Sequence, residues 1–296
     1  MCRYIILLLP CLLFGGSTDE MPWRFPAPER LVAIGDLHGD LMVTRTTLRL
    51  AKLIDEADHW IGGSTVLVQT GDQIDRGDDD RAIIDLFEQL RMEAEAAGGA
   101  IHILNGNHEL MNAAQDFRYV TPGAFASFKD EKSADDARFV ALPLAQRARA
   151  AAFAPGGPYA LILAKRNTIV VVGDTVFVHG GVLPSIVKYG IGKFNSEIRA
   201  WLRGERERPE QAIGPDSPVW SRHYSLHTES EDCASMDETV QLLSTKRMVV
   251  AHTVQEYINA TCDFHLWRID VGMSSYYGGR PSFLEIVGDS TKVVSQ

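Results

Sequence analysis

The 296-residue chain holds only four cysteines, Cys2, Cys11, Cys233 and Cys262. None has the Cys-x-x-Cys spacing of a metal ligand pair, so no thiolate chemistry is assigned to them. Positive charge is also scarce: 29 Lys and Arg face 39 Asp and Glu, a formal net charge of −10. Nucleic-acid partners need stripes of Lys and Arg to neutralise phosphates, so none is expected. Beyond the first 14 residues no long apolar run occurs, and no later segment can span a bilayer as a helix. Repeats at solenoid periods are missing as well. What remains is a soluble, globular composition with 45% hydrophobic residues. The length suits one large α/β domain or two small ones.

The N-terminus stands apart. Arg3 precedes an apolar run from Tyr4 to Phe14, broken only by Pro10. Small residues follow (Gly15, Gly16, Ser17), then the polar Thr18, Asp19 and Glu20. This is the order of a secretory signal peptide, and the run is short for a membrane span. Residues 1–19 are expected to direct export, to periplasm or secretory pathway, and to leave no stable span after removal. An uncleaved apolar N-terminus in the cytoplasm is the alternative. Cys233 and Cys262 remain in the mature chain, and pairing and free thiols both stay open.

Residues 20–30, rich in Pro and charge, read as a linker, and 31–296 as the folded domain. Within it one pattern appears three times. Leu31 to Ile34 is apolar and stops at Gly35-Asp36. Thr65 to Val68 stops, after Gln69-Thr70, at Gly71-Asp72. Ala100 to Leu104 stops, after Asn105, at Gly106-Asn107. Helical patterns over Asp40–Ile54 and Arg81–Ala97 lie between. Such alternation predicts β-α-β units and a sheet that is parallel in this half. Residues 168–178 read as a β-hairpin, and strands are expected near 248–251, 266–271, 283–287 and 292–295, giving a mixed second sheet. The Ala-rich stretch 113–165 is expected to be a helical insert covering the site.

Ligands of open α/β sheets sit beyond the carboxyl ends of the strands. Asp36, Asp72 and Asn107 all fall there, each after a glycine that permits close approach. One Gly-Asp step is ordinary turn chemistry; three at equivalent strand ends favour a site. Five segments carry the chemistry: GDLHGD at 35–40, GDQIDRG at 71–77, GNHE at 106–109, VHGG at 178–181 and AHTVQ at 251–255. They supply Asp36, His38, Asp72, Asn107, His179 and His252. This oxygen and imidazole set suits Mn, Fe or Zn and suits Ca poorly. Two metals about 3.5 Å apart need a bridging carboxylate, and Asp72, with ligands on both neighbouring strands, fits that place.

These segments resemble the phosphoprotein phosphatase branch of the calcineurin-like metallophosphoesterases, and within it the Shewanella-like phosphatases. GDQIDRGDDD, ILNGNHELMN, VFVHGGVLP, VVAHTVQ and LWRIDVGMS carry the resemblance, over roughly residues 31–290. It implies an α/β fold of two packed mixed β-sheets flanked by helices, with the metal site at strand C-terminal ends. It implies a metal-dependent phosphatase acting on phosphorylated proteins or small phosphomonoesters through a metal-bridging hydroxide. By resemblance, Asp36 and His38 hold one of two divalent or trivalent ions, Asn107, His179 and His252 the other, and Asp72 bridges. Arg76 would bind substrate phosphate, as its planar donors suit. His108, oriented by Asp75, would protonate the leaving oxygen, a task for a group titrating near neutrality.

The chain departs from the family pattern in places. The Ser-Ala-Pro-Asn-Tyr loop of animal protein phosphatases is absent, and GMSSYYGG at 272–279 stands in a comparable place. Ala251 precedes the last metal histidine where relatives often have Gly. Asp40 and Asp78 to Asp80 bring acid to the site rim; for the last three a solvated helix N-terminus is the preferred reading. His59, His102, His223, His227 and His265 read as core or surface residues. Arg222, after Pro218-Val219-Trp220, is either a second phosphate clamp or a surface residue. Two other functions stay open: a dinucleoside polyphosphate hydrolase, whose motifs overlap, and a non-catalytic scaffold, disfavoured because every motif residue is present.

Overall fold

A computed structural model describes residues 21–131 and 137–296, so the expected signal segment 1–19 lies outside it. The segment expected to be a linker instead contributes the first strand, β1 (Arg24–Phe25). It pairs in parallel with Val171 and Val172, and Val171 N donates to Trp23 O at 2.8 Å. Pro22 and Pro26 flank these two residues without blocking the pairing, because an edge strand needs only one row of donors.

The three apolar runs form β2 (Leu31–Ile34), β3 (Val66–Gln69) and β4 (Ala100–Ile103), parallel and in register. Helices α1 (Leu41–Leu50) and α2 (Asp80–Ala96) make the crossovers. On α2, Ile83, Ile84, Phe87, Leu90 and Ala94 are buried, the i, i+3, i+4 spacing of one helical face. On the far side of β2 the sheet turns antiparallel through β10 (Ser282–Val287) and β11 (Ser290–Ser295), giving the order β11-β10-β2-β3-β4.

The second sheet is built around the expected hairpin, β5 (Ile169–Val172) and β6 (Thr175–Val178). It continues with β7 (Arg247–Val250), β8 (Asn259–Thr261) and β9 (Leu266–Arg268), in the order β1-β5-β6-β7-β9-β8. Period-two alternation decides its packing. Val170, Val172, Phe177 and Val249 join the core shared with the first sheet. Ile169, Val171, Val176, Val178, Met248 and Val250 face a second core, roofed by helices. The helices that follow β4 are α3 (Asn107–Ala113), α4 (Pro122–Ala126), α5 (Leu144–Phe153), α6 (Pro158–Leu163), α7 (Pro184–Tyr189), α8 (Ile191–Leu202) and α9 (Ser230–Leu243), and all of these but α4 supply residues to that second core. Among the described residues no helix is long and apolar enough to cross a membrane. Cys233 on α9 and Cys262 beyond β8 form a disulfide, with Cα atoms 5.3 Å apart.

The topology sets up the site twice over. The strands β2, β3 and β4 are parallel, and so are β6, β7 and β9. Asp36, Asp72 and Asn107 follow the first three. His179, His252 and Asp270 follow the second three. Each lies one to four residues past its strand's carboxyl end, so both sheets deliver polar side chains to one seam.

Candidate metal centre

All six expected ligands are buried, with Asp36, Asp72 and Asn107 2% exposed, His179 0%, His38 4% and His252 8%. They converge. Asp72 Oδ2 lies 4.0 Å from His38 Nε2, 3.7 Å from His108 Nε2 and 3.2 Å from His179 Nε2. His38 Nε2 is also 3.7 Å from Asp36 Oδ2. His179 Nε2 faces Asn107 Oδ1 at 2.8 Å and His252 Nδ1 at 3.1 Å.

This arrangement calls for cations. His179 Nδ1 sits 3.1 Å from the Thr70 carbonyl and His38 Nδ1 3.2 Å from that of Ile74. A carbonyl only accepts, so the ring proton belongs on Nδ1 and both Nε2 atoms present bare lone pairs. His179 Nε2 then meets oxygens of Asn107 and Asp72 with no proton between them. Asp36 Oδ1 and His252 Nε2 are buried and lack any hydrogen-bond partner. Two groups of ligand atoms lie within 4.8 Å of one another: His38, Asp72 and His108, and Asp72, His179 and His252. The donor set fits a pair of metal ions with Asp72 between them. Proximity alone puts His108 Nε2 in the first group. Its Nδ1, however, meets a carboxylate, Asp75 Oδ2 at 2.7 Å, where the other two rings meet carbonyls.

The mutual field is strong. Burial and the neighbouring Asp270 and Asp72 raise the pKa of Asp36 well above the carboxylate range. Burial would raise Asp72 too, but His179, His108 and His38 prevail and hold it well below. Burial and the nearby His108 push His38 down to about 4, and burial and His179 hold His252 well below its ordinary value. Burial also lowers His108, but Asp72 and Asp75 more than offset it, so its pKa is raised.

Local backbone explains why these residues meet. His38, Asp72, Asp75, Arg76 and His252 all have positive φ, at 48, 54, 69, 72 and 66°. Each such non-glycine residue costs about 1–3 kcal/mol, and clustering of that strain marks a functional site. Gly71 (φ 98°) and Gly106 pack backbone to backbone, where a Cβ on either would clash. That bears out the close approach inferred for these glycines.

Arg76 is half-buried; its Nη1 donates to Tyr276 Oη at 2.8 Å. Its Cζ lies 4.0 Å from the ring centre of Tyr119, 4.8 Å from Tyr276 and 5.7 Å from Tyr277. Arg222 Nη1 donates to His252 O at 3.2 Å and Thr253 Oγ1 at 2.7 Å, so it stands beside the last histidine. Asp78 and Asp79 are exposed, but Asp80 is fully buried and ion-paired to Arg149 at 2.6 Å, not solvated. A salt-bridging arginine from the insert, invisible to local pattern, draws it in. Asp40 is a cap: its oxygens accept from Val43 N and Ser275 N. His59, His223 and His265 pair with surface acids and His102 stacks on Phe25.

Two buried acids of the site were missed. Glu109 accepts from the backbone N–H of Asp72, Gln73 and Gly106, clipping two strand-end loops together. Asp270 is buried against Asp36, and burial raises its pKa to about 6. Both stand inside the motifs GNHE and LWRIDVGMS, where a buried acid beside a ligand was the available signal.

The fold and the donor set together define a metallophosphoesterase. A family model described as calcineurin-like phosphoesterase matches residues 29–256. The chain is 41% identical to Shewanella-like protein phosphatase 2 of Arabidopsis thaliana, covering 93% of this chain and 80% of that one. It is 31% identical to Shewanella-like protein phosphatase 1 of Plasmodium berghei, covering 95% and 77%. The crystal structure of a cold-active protein-tyrosine phosphatase of a psychrophile Shewanella species shares the fold, with a TM-score of 0.76 at 24% identity over 94% of this chain and 83% of that one. The chain belongs to the calcineurin-like phosphoesterase family, in its Shewanella-like protein phosphatase group. It is a metal-dependent phosphatase, a phosphoric monoester hydrolase.

Proposed function

We propose that this chain dephosphorylates protein side chains, phosphotyrosine foremost, at two ions held by Asp36, His38, Asp72, Asn107, His179 and His252. One observation carries the reading: Asp72 Oδ2 stands within 4.0 Å of three imidazole nitrogens from three different segments of the chain. Mn, Fe or Zn suits this mixture of carboxylate, amide and imidazole donors. When bound, such ions polarise phosphoryl oxygens and lower the pKa of water from 15.7 towards about 7.

The chain's own residues do the rest. Arg76, with planar donors on a half-buried side chain, grips the phosphate, and Arg222 beside His252 offers a second grip. His108 holds a proton on Nε2, its Nδ1 side fixed by Asp75, and gives it to the leaving oxygen. Asp72 and Asp75 support that protonated form by raising the pKa of His108. Tyr119, Tyr276 and Tyr277 wall Arg76 with rings, which suits an aryl ester over a short alkyl one.

Turnover of a phosphotyrosine peptide, a phosphoserine peptide and diadenosine tetraphosphate, compared side by side, tests the reading. Preference for the first supports it, and selective cleavage of the last overturns it. Export is part of the same proposal. The signal-like start and the Cys233–Cys262 bridge, which persists in oxidising compartments, support it. Mass spectrometry should find a mature N-terminus after Gly16; intact Met1 recovered from cytosol refutes export.

A further inference from the structure

A fully buried arginine is costly unless its charge is compensated, and apolar packing often serves stability as well. Arg149, on α5 of the insert, is 0% exposed. Its Nη2 lies 3.0 Å from Asp75 Oδ1 and 2.6 Å from Asp80 Oδ2. Its Nε donates to Asn112 Oδ1 at 2.7 Å, and its Nη1 to Ala124 O at 3.3 Å. The rings of Phe153 and Phe128 lie 4.9 and 5.3 Å from its Cζ. Such enclosure leaves the guanidinium one orientation.

The partner of this guanidinium matters. Asp75 Oδ2 faces His108 Nδ1 at 2.7 Å, while its Oδ1 is the atom Arg149 holds. Asn112 Nδ2 reaches both oxygens, at 3.0 and 3.1 Å. Asp80 Oδ1 accepts from Asp75 N at 3.0 Å, supporting a backbone at φ 69°. The carboxylate that orients His108 is thus itself fixed, at its far oxygen, by a residue 74 positions away in the chain.

We propose that Arg149 is a positioning residue for leaving-group protonation. It pins Asp75 so that Oδ2 alone meets His108, and it makes the helical insert part of the active site's machinery. The inference rests on the acid role proposed above for His108. Without the pin, Asp75 can rotate and the imidazole loses its aim. A misplacement of about 1 Å in a reacting group costs up to about 100-fold in rate.

Two variants keep the charge count tolerable. Arg149→Lys keeps the charge and loses the planar fork. Arg149→Met with Asp80→Asn removes one charge of each sign. In the metal-reconstituted full chain, kcat is measured over aryl phosphates of graded leaving-group pKa, from phenyl to p-nitrophenyl. Both variants should lower kcat for phenyl phosphate about 10- to 100-fold and for p-nitrophenyl phosphate only a few-fold, so the dependence on leaving-group pKa steepens. In a His108→Ala background the same changes should steepen nothing further. The His108 imidazole resonances should also shift in both variants. Equal losses across the series are what a merely structural role gives, and they overturn the proposal. So does an unchanged slope when His108→Ala by itself steepens it. An unchanged slope in His108→Ala itself removes the acid reading, and the role of Arg149 with it.

Discussion

Replacing Glu109 with Gln tests whether one carboxylate holds the strand-end loops in place. Glu109 is fully buried, and its Oε2 accepts from Asp72 N at 2.9 Å and Gly106 N at 2.7 Å. Its Oε1 accepts from Gln73 N at 2.8 Å. Gln keeps the volume and one oxygen. If that oxygen serves Asp72 and Gly106, the new amide NH2 points at the Gln73 N–H. At least one hydrogen bond to a charged group, worth about 1.5–3 kcal/mol, is lost, and a buried donor is left unmet at about 1–3 kcal/mol. One effect opposes this: burial and the charge of Asp72 raise the pKa of Glu109, so its ionised form is already penalised. The net loss should be about 3 kcal/mol, or about 6–12 °C in melting temperature for a domain of this size. The unmet Gln73 N–H adjoins Asp72, whose loop loses part of its anchor, so metal affinity should drop as well. Calorimetry and a metal titration on the same variant read both. A melting temperature within about 1 °C of the parent, with unchanged affinity, would show that Glu109 does not hold these loops.

Two further outcomes follow. The Cys233–Cys262 bridge closes a loop of sequence separation 29, so replacing both with Ser should cost about 3–4 kcal/mol by loop-closure entropy. A urea midpoint that does not move contradicts this. Asp80 titrates at about 7 in the fold, raised by burial against the partial relief from Arg149, from an ordinary value of 3.8. A raised carboxyl contributes stability below its unfolded pKa and loses it as pH rises through the folded one. The stability of Asp80→Asn relative to the parent should therefore rise between about pH 4 and 7; a difference independent of pH in urea titrations refutes it.

Much of this was legible in the sequence, for identifiable reasons. The runs ending at Gly35, Gly71 and Gly106 fix three parallel strands, because apolar stretch and helical period are both local signals. The hairpin at 168–178 was legible from Gly173-Asp174 in the same way. Strand β1 was hidden by its brevity and its prolines, and β8 by its weak apolar character. The helices α7 to α9 bury faces against a core that only the folded sheet creates. At the site, all six ligand candidates meet. The left-handed backbone at His38, Asp72 and His252, the clip at Glu109 and the acid pair of Asp36 and Asp270 depend on contacts across strands, which spacing along the chain does not encode. Asp80 shows the limit best. Three consecutive aspartates read as a solvated helix start, and only Arg149, 69 positions later, makes the third an interior residue.

In the proposed mechanism Asp72 joins two ligand groups into one two-metal centre that drives hydrolysis. Elemental analysis of the reconstituted chain and of Asp72→Asn, with phosphatase activity measured on the same samples, tests it most directly. About two metal ions per parent chain are expected, and loss of metal and activity together in the variant. A parent fully active with fewer than about one metal ion per chain, or an Asp72→Asn variant that keeps both ions and full activity, would contradict it.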